Sequence, residues 1–333
     1  MSTLLVPWST TLVVLPAVTA LVTSRLTDRR RARTLSVVSA GIGLALAVGL
    51  LLSVFGLGGE RALLADPLAF APLGPRPLFG LDLISAPLVV LVGLTTLACV
   101  WGTPANEGQA RTLTRIMALQ AATLAALVSL HAELFAVAWL LTLVPVVLEL
   151  RARGATRMAK VFLLYQGLGW FALAIAFWSY GGAALFDGGQ QGAGMEVGLL
   201  VAVVLAAAAR QGLLPFHSWL PSLHEQVPPG ITALTFVPQL GGYLLVRLLA
   251  GSPGAENLEV LQVVVVLGAA TAVYAALLGV IQTDLRRSVG WLAVSQSALV
   301  MCGLAADGSV GLTGGLLLCG SSGLALTGLL LTV

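Results

Sequence analysis

Residues 214–221 read Leu214-Pro215-Phe216-His217-Ser218-Trp219-Leu220-Pro221, and the chain runs on through His224 and Glu225 to Val227-Pro228-Pro229-Gly230. A continuous apolar run, residues 197–214, leads straight into this stretch. Proline has no amide hydrogen to donate, and its ring clashes with the preceding helical turn. Two prolines separated by polar side chains therefore predict a helix that breaks within or near a membrane. Irregular backbone at that depth must be buried in protein or line a wet cavity. Transporters place such broken helices at their ion sites. The alternative reading is a structural kink or an interfacial re-entrant turn.

The residues on either side show why a membrane is the relevant solvent. Of the 333 residues, 58% are hydrophobic and 9% charged, and the mean hydropathy is +0.99. A typical soluble domain is about 25% charged. An ordinary soluble enzyme, a nucleic-acid binder and a disordered chain are excluded on these grounds. The apolar runs are continuous and about 20 residues long, the length a helix needs to cross hydrocarbon. A membrane β-barrel would instead show segments of roughly 10 alternating residues. The expected fold is an all-α polytopic membrane protein of about eleven transmembrane helices. They fall at 4–23, 34–57, 81–102, 112–130, 133–150, 161–182, 197–214, 231–250, 259–282, 289–306 and 311–331, with the seventh broken. The first charge, Arg25, follows the first run, so 4–23 reads as a true span and not a cleavable signal. Residues 58–80, with Pro67, Pro72, Pro75 and Pro77, read as a long outside loop.

Arginine and lysine in short loops set orientation. Alternate loops carry Arg25, Arg29, Arg30, Arg31 and Arg33, then Arg111 and Arg115, then Arg151, Arg153, Arg157 and Lys160, then Arg286 and Arg287. These are thirteen of the 17 cations. The opposite loops hold Arg61 and Arg76. The expectation is a multi-pass protein of the inner (cytoplasmic) membrane with its N-terminus outside. The net charge of +3 then reflects orientation and not an acidic partner. Cys99, Cys302 and Cys319 each sit alone in an apolar run, and no spacing suits zinc, an iron–sulfur cluster or haem. No catalytic residue, metal site, cofactor or nucleic-acid partner is expected.

An ionisable group inside a span is costly and marks a functional hypothesis. Arg210 lies well inside the seventh span, too far from its ends to snorkel easily. It holds a charge at any physiological pH, so it suits a fixed field better than proton relay. His217 and His224 are seven apart and would share one face of a helix, with Glu225 beside them. Glu149 either pairs at the surface with Arg151 and Arg153 or takes part in a channel. Asp82 and Glu133 read as interfacial acids near helix N-termini, where the helix dipole favours them. Gln120, Gln166, Gln239, Ser295 and Gln296 are polar residues that also serve to stitch helices together.

Several stretches resemble the antiporter-like, proton-translocating membrane subunits of respiratory complex I. Relatives occur in multi-subunit sodium/proton antiporters and membrane hydrogenases. The resemblance rests on Leu214 to Pro221 with His224, Glu225 and Pro228 to Leu234. It rests also on Asp284 to Arg287 with Trp291 and Val294-Ser295-Gln296, and on Gly80 to Ser85 with Pro87 and Leu88. Trp139, Leu143-Val144-Pro145, Ala159-Lys160 and Tyr165-Gln166 are most similar to the M-type chain of NADH–quinone oxidoreductase. The resemblance implies two inverted five-helix repeats behind three leading helices. The division would be leading helices at 1–110, a first repeat at 111–250 and a partial second repeat at 251–333, ending before a second broken helix.

The resemblance implies a membrane subunit that contributes to or scaffolds proton translocation, with other hydrophobic subunits and the lipid bilayer as partners. Quinone reduction would occur elsewhere in the assembly. The path candidates are Arg210, His217, His224, Glu225, Gln239, Glu149 and Lys160. The carry-over is incomplete. The family's glutamate after the fifth-span tryptophan falls on Leu140, and two of its lysines fall on Arg210 and Gln239. Eleventh-span histidines and lysine fall on Cys319, Gly323 and Thr327. The alternatives are a non-conducting scaffold and an ion- or inorganic-carbon-transporter subunit.

Overall fold

The computed structural model describes residues 2–3, 7–57, 63–68, 77–104, 109–180, 197–249, 258–306 and 308–332. Arg61, Arg76 and much of the stretch 58–80, expected as an outside loop, lie outside these residues. The chain divides into two compact units: residues 1–149 with 228–238, and residues 150–227 with 239–333.

The first unit begins with α1 (Trp8–Arg25), α2 (Arg29–Gly56), α3 (Ser85–Gly102), α4 (Gln109–Val128) and α5 (Ala132–Ala152). Pro7 precedes α1 and offers no capping side chain. Asp66, fully buried, serves instead. Its carboxylate accepts from the Ser9 amide at 3.2 Å, the Thr10 amide at 2.6 Å and the Thr10 hydroxyl at 2.8 Å. This meets the unfilled donors of a helix N-terminus. Asp28 caps α2 by accepting from the Arg30 amide at 2.9 Å. Asp82 stands ahead of α3 and accepts from Ile84 and Ser85 amides at 3.1 and 2.8 Å, as its reading as a helix-start acid requires. A small sheet lies among these caps: β1 (Ser2–Thr3) runs parallel to β2 (Leu63–Ala65), which pairs antiparallel with β3 (Gly80–Asp82). The sequence reading treats 58–80 as loop; ladder pairing supplies the hydrogen bonds that its backbone needs.

The second unit holds α6 (Thr156–Tyr180), α7 (Val197–Gln211) and α8 (Trp219–Gln226). The intervening α9 (Pro229–Phe236) belongs to the first unit, and α10 (Leu240–Leu249) returns to the second. Then come α11 (Leu258–Val280), α12 (Leu285–Ala305) and α13 (Ser309–Thr332). Glycines let these helices approach closely, as is usual in membranes. A Cβ on Gly241 of α10 would lie 2.9 Å from the Ala207 carbonyl oxygen, and one on Gly169 would lie 3.1 Å from Ala209 Cβ. In the first unit, a Cβ on Gly230 of α9 would lie 2.8 Å from Ile116 Cδ1 and 3.1 Å from Cys99 Cβ.

Among the described residues, eight helical spans are long and apolar enough to cross a membrane. The class expected from sequence, an all-α polytopic membrane protein, therefore holds. The count of eleven is not confirmed: the spans expected at 4–23, 112–130 and 197–214 correspond to α1, α4 and α7, which are not among the eight, α7 having only 15 residues. The seventh span breaks where the prolines predict, since α7 stops at Gln211 and α8 starts at Trp219. The span expected to run unbroken over 231–250 is also divided, between α9 and α10. Pro238 cannot continue the hydrogen-bond ladder, and Gln239 turns the chain with a left-handed φ of 46°.

Packing at the first break gives a test. A Cβ on Gly290 of α12 would lie 2.6 Å from Pro221 Cα and 3.2 Å from His224 Cβ. Gly290→Val is expected to destabilise the chain by roughly 1–3 kcal/mol through overpacking. Thermal unfolding in detergent, compared with Gly320→Val, where nothing lies within 4 Å, measures it.

Candidate functional site

The site is built on the end of α7. A helix leaves its last four carbonyls without intrahelical partners. Gly212, with φ of 72°, turns the chain out of the helix in the left-handed conformation that glycine adopts at helix ends. The Leu213 amide then donates to the Ala208 carbonyl at 3.0 Å. The next carbonyl, Ala209, accepts from the indole of Trp219 at 3.2 Å and the side-chain amide of Gln166 at 3.4 Å. Arg210, 5% exposed, donates from Nη1 to Gln166 Oε1 at 3.2 Å. Gln166 thus receives the arginine with its oxygen and secures the helix end with its nitrogen. Across the break, the Leu214 amide donates to the Thr271 hydroxyl of α11 at 3.2 Å.

The histidines do not share one helical face, contrary to the seven-residue reading. His217 lies in the turn before α8, and only His224 is within that helix. The His217 ring packs 5.4 Å from Tyr274 and 5.5 Å from Trp291, centroid to centroid. His224 is buried, with Nδ1 2.9 Å from the Leu220 carbonyl and its side chain against Gly290. Both therefore meet the first turns of α12, at Gly290 and Trp291. Gln239, 2% exposed, has neither amide atom paired with protein among the described residues. Gln211 Nε2 and His224 Nε2 are likewise without a protein partner there. Glu225 and Lys160 are exposed, and the structure brings neither to the Arg210 cluster.

Glu149 belongs to the first unit, near the end of α5, one turn past Pro145. It is 2% exposed, so it is not a surface acid, and it forms a salt bridge with Arg115 of α4. Leu140, where the motif resemblance leads one to expect a glutamate, is 41% exposed beside a fully buried Trp139. Sequence reasoning missed Arg115, Gln211 and Thr271. Arg115 sits inside its expected span, which is the signal that distinguished it from loop arginines. Gln211 adjoins Arg210 in an apolar run, and nothing in the sequence sets Thr271 apart. Among the described residues no group of three or more His, Cys, Asp or Glu could hold a metal ion.

Apolar spans, the seventh broken beside a buried arginine and buried amides, define a polytopic membrane protein. The chain belongs to the NADH:quinone oxidoreductase/Mrp antiporter transmembrane family, whose model matches residues 131–333. A Trichodesmium erythraeum protein named NAD(P)H-quinone oxidoreductase chain 4 1 is 28% identical over 337 residues, 96% of this chain and 64% of that one. A Picosynechococcus protein of the same name is 29% identical, over 95% of this chain and 62% of its own length. The chain thus spans less than two thirds of these relatives. The fold is similar to a chain of respiratory complex I from Thermus thermophilus, with TM-score 0.82 and 24% identity, over 97% of this chain and 70% of that one. It is also similar to a chain of the Mrp complex from a Dietzia species, with TM-score 0.79 and 21% identity, over 96% of this chain and 63% of that one. The family resemblance read from the motifs is borne out.

The Arg115–Glu149 pair has a measurable energetic signature. Removing one member of a buried pair strands the other charge, at a cost of about 3–5 kcal/mol when both are fully buried. The Arg115 side chain keeps 18% exposure, so Glu149→Leu is expected to cost about 2–4 kcal/mol. Arg115→Met combined with Glu149→Leu should recover most of that loss, and a double-mutant cycle by detergent unfolding reads it.

Proposed function

We propose that the chain is a membrane subunit of a complex-I-like, proton-translocating NADH–quinone oxidoreductase. It resides in the inner (cytoplasmic) membrane with its N-terminus outside, among other hydrophobic subunits. In this reading residues 1–110 are leading helices, 111–250 a first repeat and 251–333 part of a second. The observation that carries the reading is the buried Arg210–Gln166 contact at the broken end of α7. A permanent positive charge there raises the local potential and biases where a proton resides nearby. His217, His224, Glu225, Gln239, Glu149 and Lys160 complete the proposed set. His217 and His224 are the titratable members beside the break, and Gln239 is a neutral hydrogen-bonding station.

One observation favours a second reading, a subunit that scaffolds without conducting. Leu140 supplies neither charge nor proton at the position where the family carries a glutamate.

Proteoliposomes containing the intact assembly separate the two. Arg210→Ala is expected to lower proton flux at least about tenfold, the scale of one lost charge interaction in a low-dielectric site, with subunit composition unchanged. Arg210→Lys should retain part of the flux. If Arg210→Ala and Glu149→Gln both leave the flux intact in a correctly assembled complex, the scaffold reading stands. Co-purification with other hydrophobic subunits is expected in either case, and a stable, monodisperse monomer would refute both.

A further inference from the structure

The arginines near the α1–α2 turn form part of a converged surface. The Thr114 hydroxyl of α4 donates to the Thr23 hydroxyl of α1 at 3.0 Å, which sets the first turns of α4 beside the last turn of α1. Arg33 donates from Nη2 to the Trp101 carbonyl at 2.9 Å, which sets the first turn of α2 beside the end of α3. Four helix ends therefore meet, and Arg25, Arg29, Arg30, Arg31 and Arg111 are all exposed there. Asp28 accepts from the Arg30 amide as the α2 cap and pairs with Arg31 at 3.2 Å. Among the described residues no ion pair engages Arg25, Arg29, Arg30 or Arg111.

Exposed apolar stripes lead directly to these charges. On α1, Val14, Val18 and Leu21 are 48, 49 and 69% exposed and stand at spacings of four and three residues. Arg25 follows four residues later on the same helical face. On α2, Ile42 and Val38 are exposed, and Arg31, paired with Asp28, lies seven residues before Val38 on that face with Arg30 next to it in the chain. Trp101, at the end of α3, is 68% exposed, and an indole favours the headgroup level. Apolar stripes that end in guanidiniums match a molecule with acyl chains and an anionic head. They do not match a nucleic acid or a soluble acidic protein, neither of which would use the stripes.

We propose that this end of the first unit is a binding site for an anionic phospholipid. The acyl chains lie along the exposed faces of α1 and α2, and the phosphate sits among Arg25, Arg29, Arg30 and Arg111. Guanidinium forks match phosphate oxygens in geometry and charge, and basic clusters next to membrane helices attract anionic lipid. The inference is independent of whether the chain conducts protons.

The test uses the intact assembly in detergent, with lipid retention read by native mass spectrometry. Phosphatidylglycerol is expected to bind at least about tenfold more tightly than phosphatidylcholine. Arg25→Gln/Arg30→Gln/Arg111→Gln should reduce that preference to about threefold or less. Arg157→Gln/Arg286→Gln/Arg287→Gln removes the same charge elsewhere and should leave it unchanged. An unchanged preference in the first triple variant overturns the proposal. So does an equal loss in the second, which would show a dependence on net charge alone. Displacement of the lipid by inorganic phosphate at equal concentration also overturns it, because the site would then hold a free anion.

Discussion

Hydrocarbon offers no hydrogen bonds, so a helix that stops within the apolar thickness must find partners inside the protein. The end of α7 meets this constraint through the Ala209 carbonyl, which Gln166 and Trp219 approach from α6 and α8. Much of the second unit follows from it. Gln166 can reach that carbonyl because Gly169 lets α6 lie close to Ala206 and Ala209. Trp219 can reach it because the chain reverses at Gly212 and re-enters a helix at α8. Arg210 can be buried because the same glutamine turns its oxygen toward the guanidinium. A feature that looks functional, the buried cation, is thus held by the device that makes the break tolerable.

The chain uses its few charges in distinct ways. Asp66, Asp28 and Asp82 stand at the starts of α1, α2 and α3, where helix amides would otherwise lack partners. The Arg115–Glu149 bridge joins α4 to α5. Arg210 joins a buried cation to the side-chain amide of Gln166. A carboxylate at Leu140 would have added a titratable group on α5, whereas leucine leaves an apolar side chain there.

Much of the architecture was legible because the solvent imposes simple rules. Continuous apolar runs located the helices, and Pro215 and Pro221 located the first break. Pro238 carried the same signal for the second, but the apolar runs 231–237 and 243–246 around it hid it. The left-handed turn at Gln239 had no local marker, since glutamine rarely adopts that conformation and glycine was absent from the position. The site was legible only in part. Arg210 was conspicuous as a charge in an apolar span. The pairing of Glu149 with Arg115, 34 residues away, depends on how α4 meets α5, which helical periodicity does not fix. His217 and His224 misled because helical spacing was applied across a turn.

The Asp66 cap has a consequence for biosynthesis. Its carboxylate serves amides 56 and 57 residues earlier in the chain, so α1 acquires its native N-terminus only after α2 and the following strand have emerged from the ribosome. Until then the first helix enters the bilayer with those amides unsatisfied by protein. The α1–α2 hairpin is therefore closed only once Asp66 has followed both helices out of the ribosome.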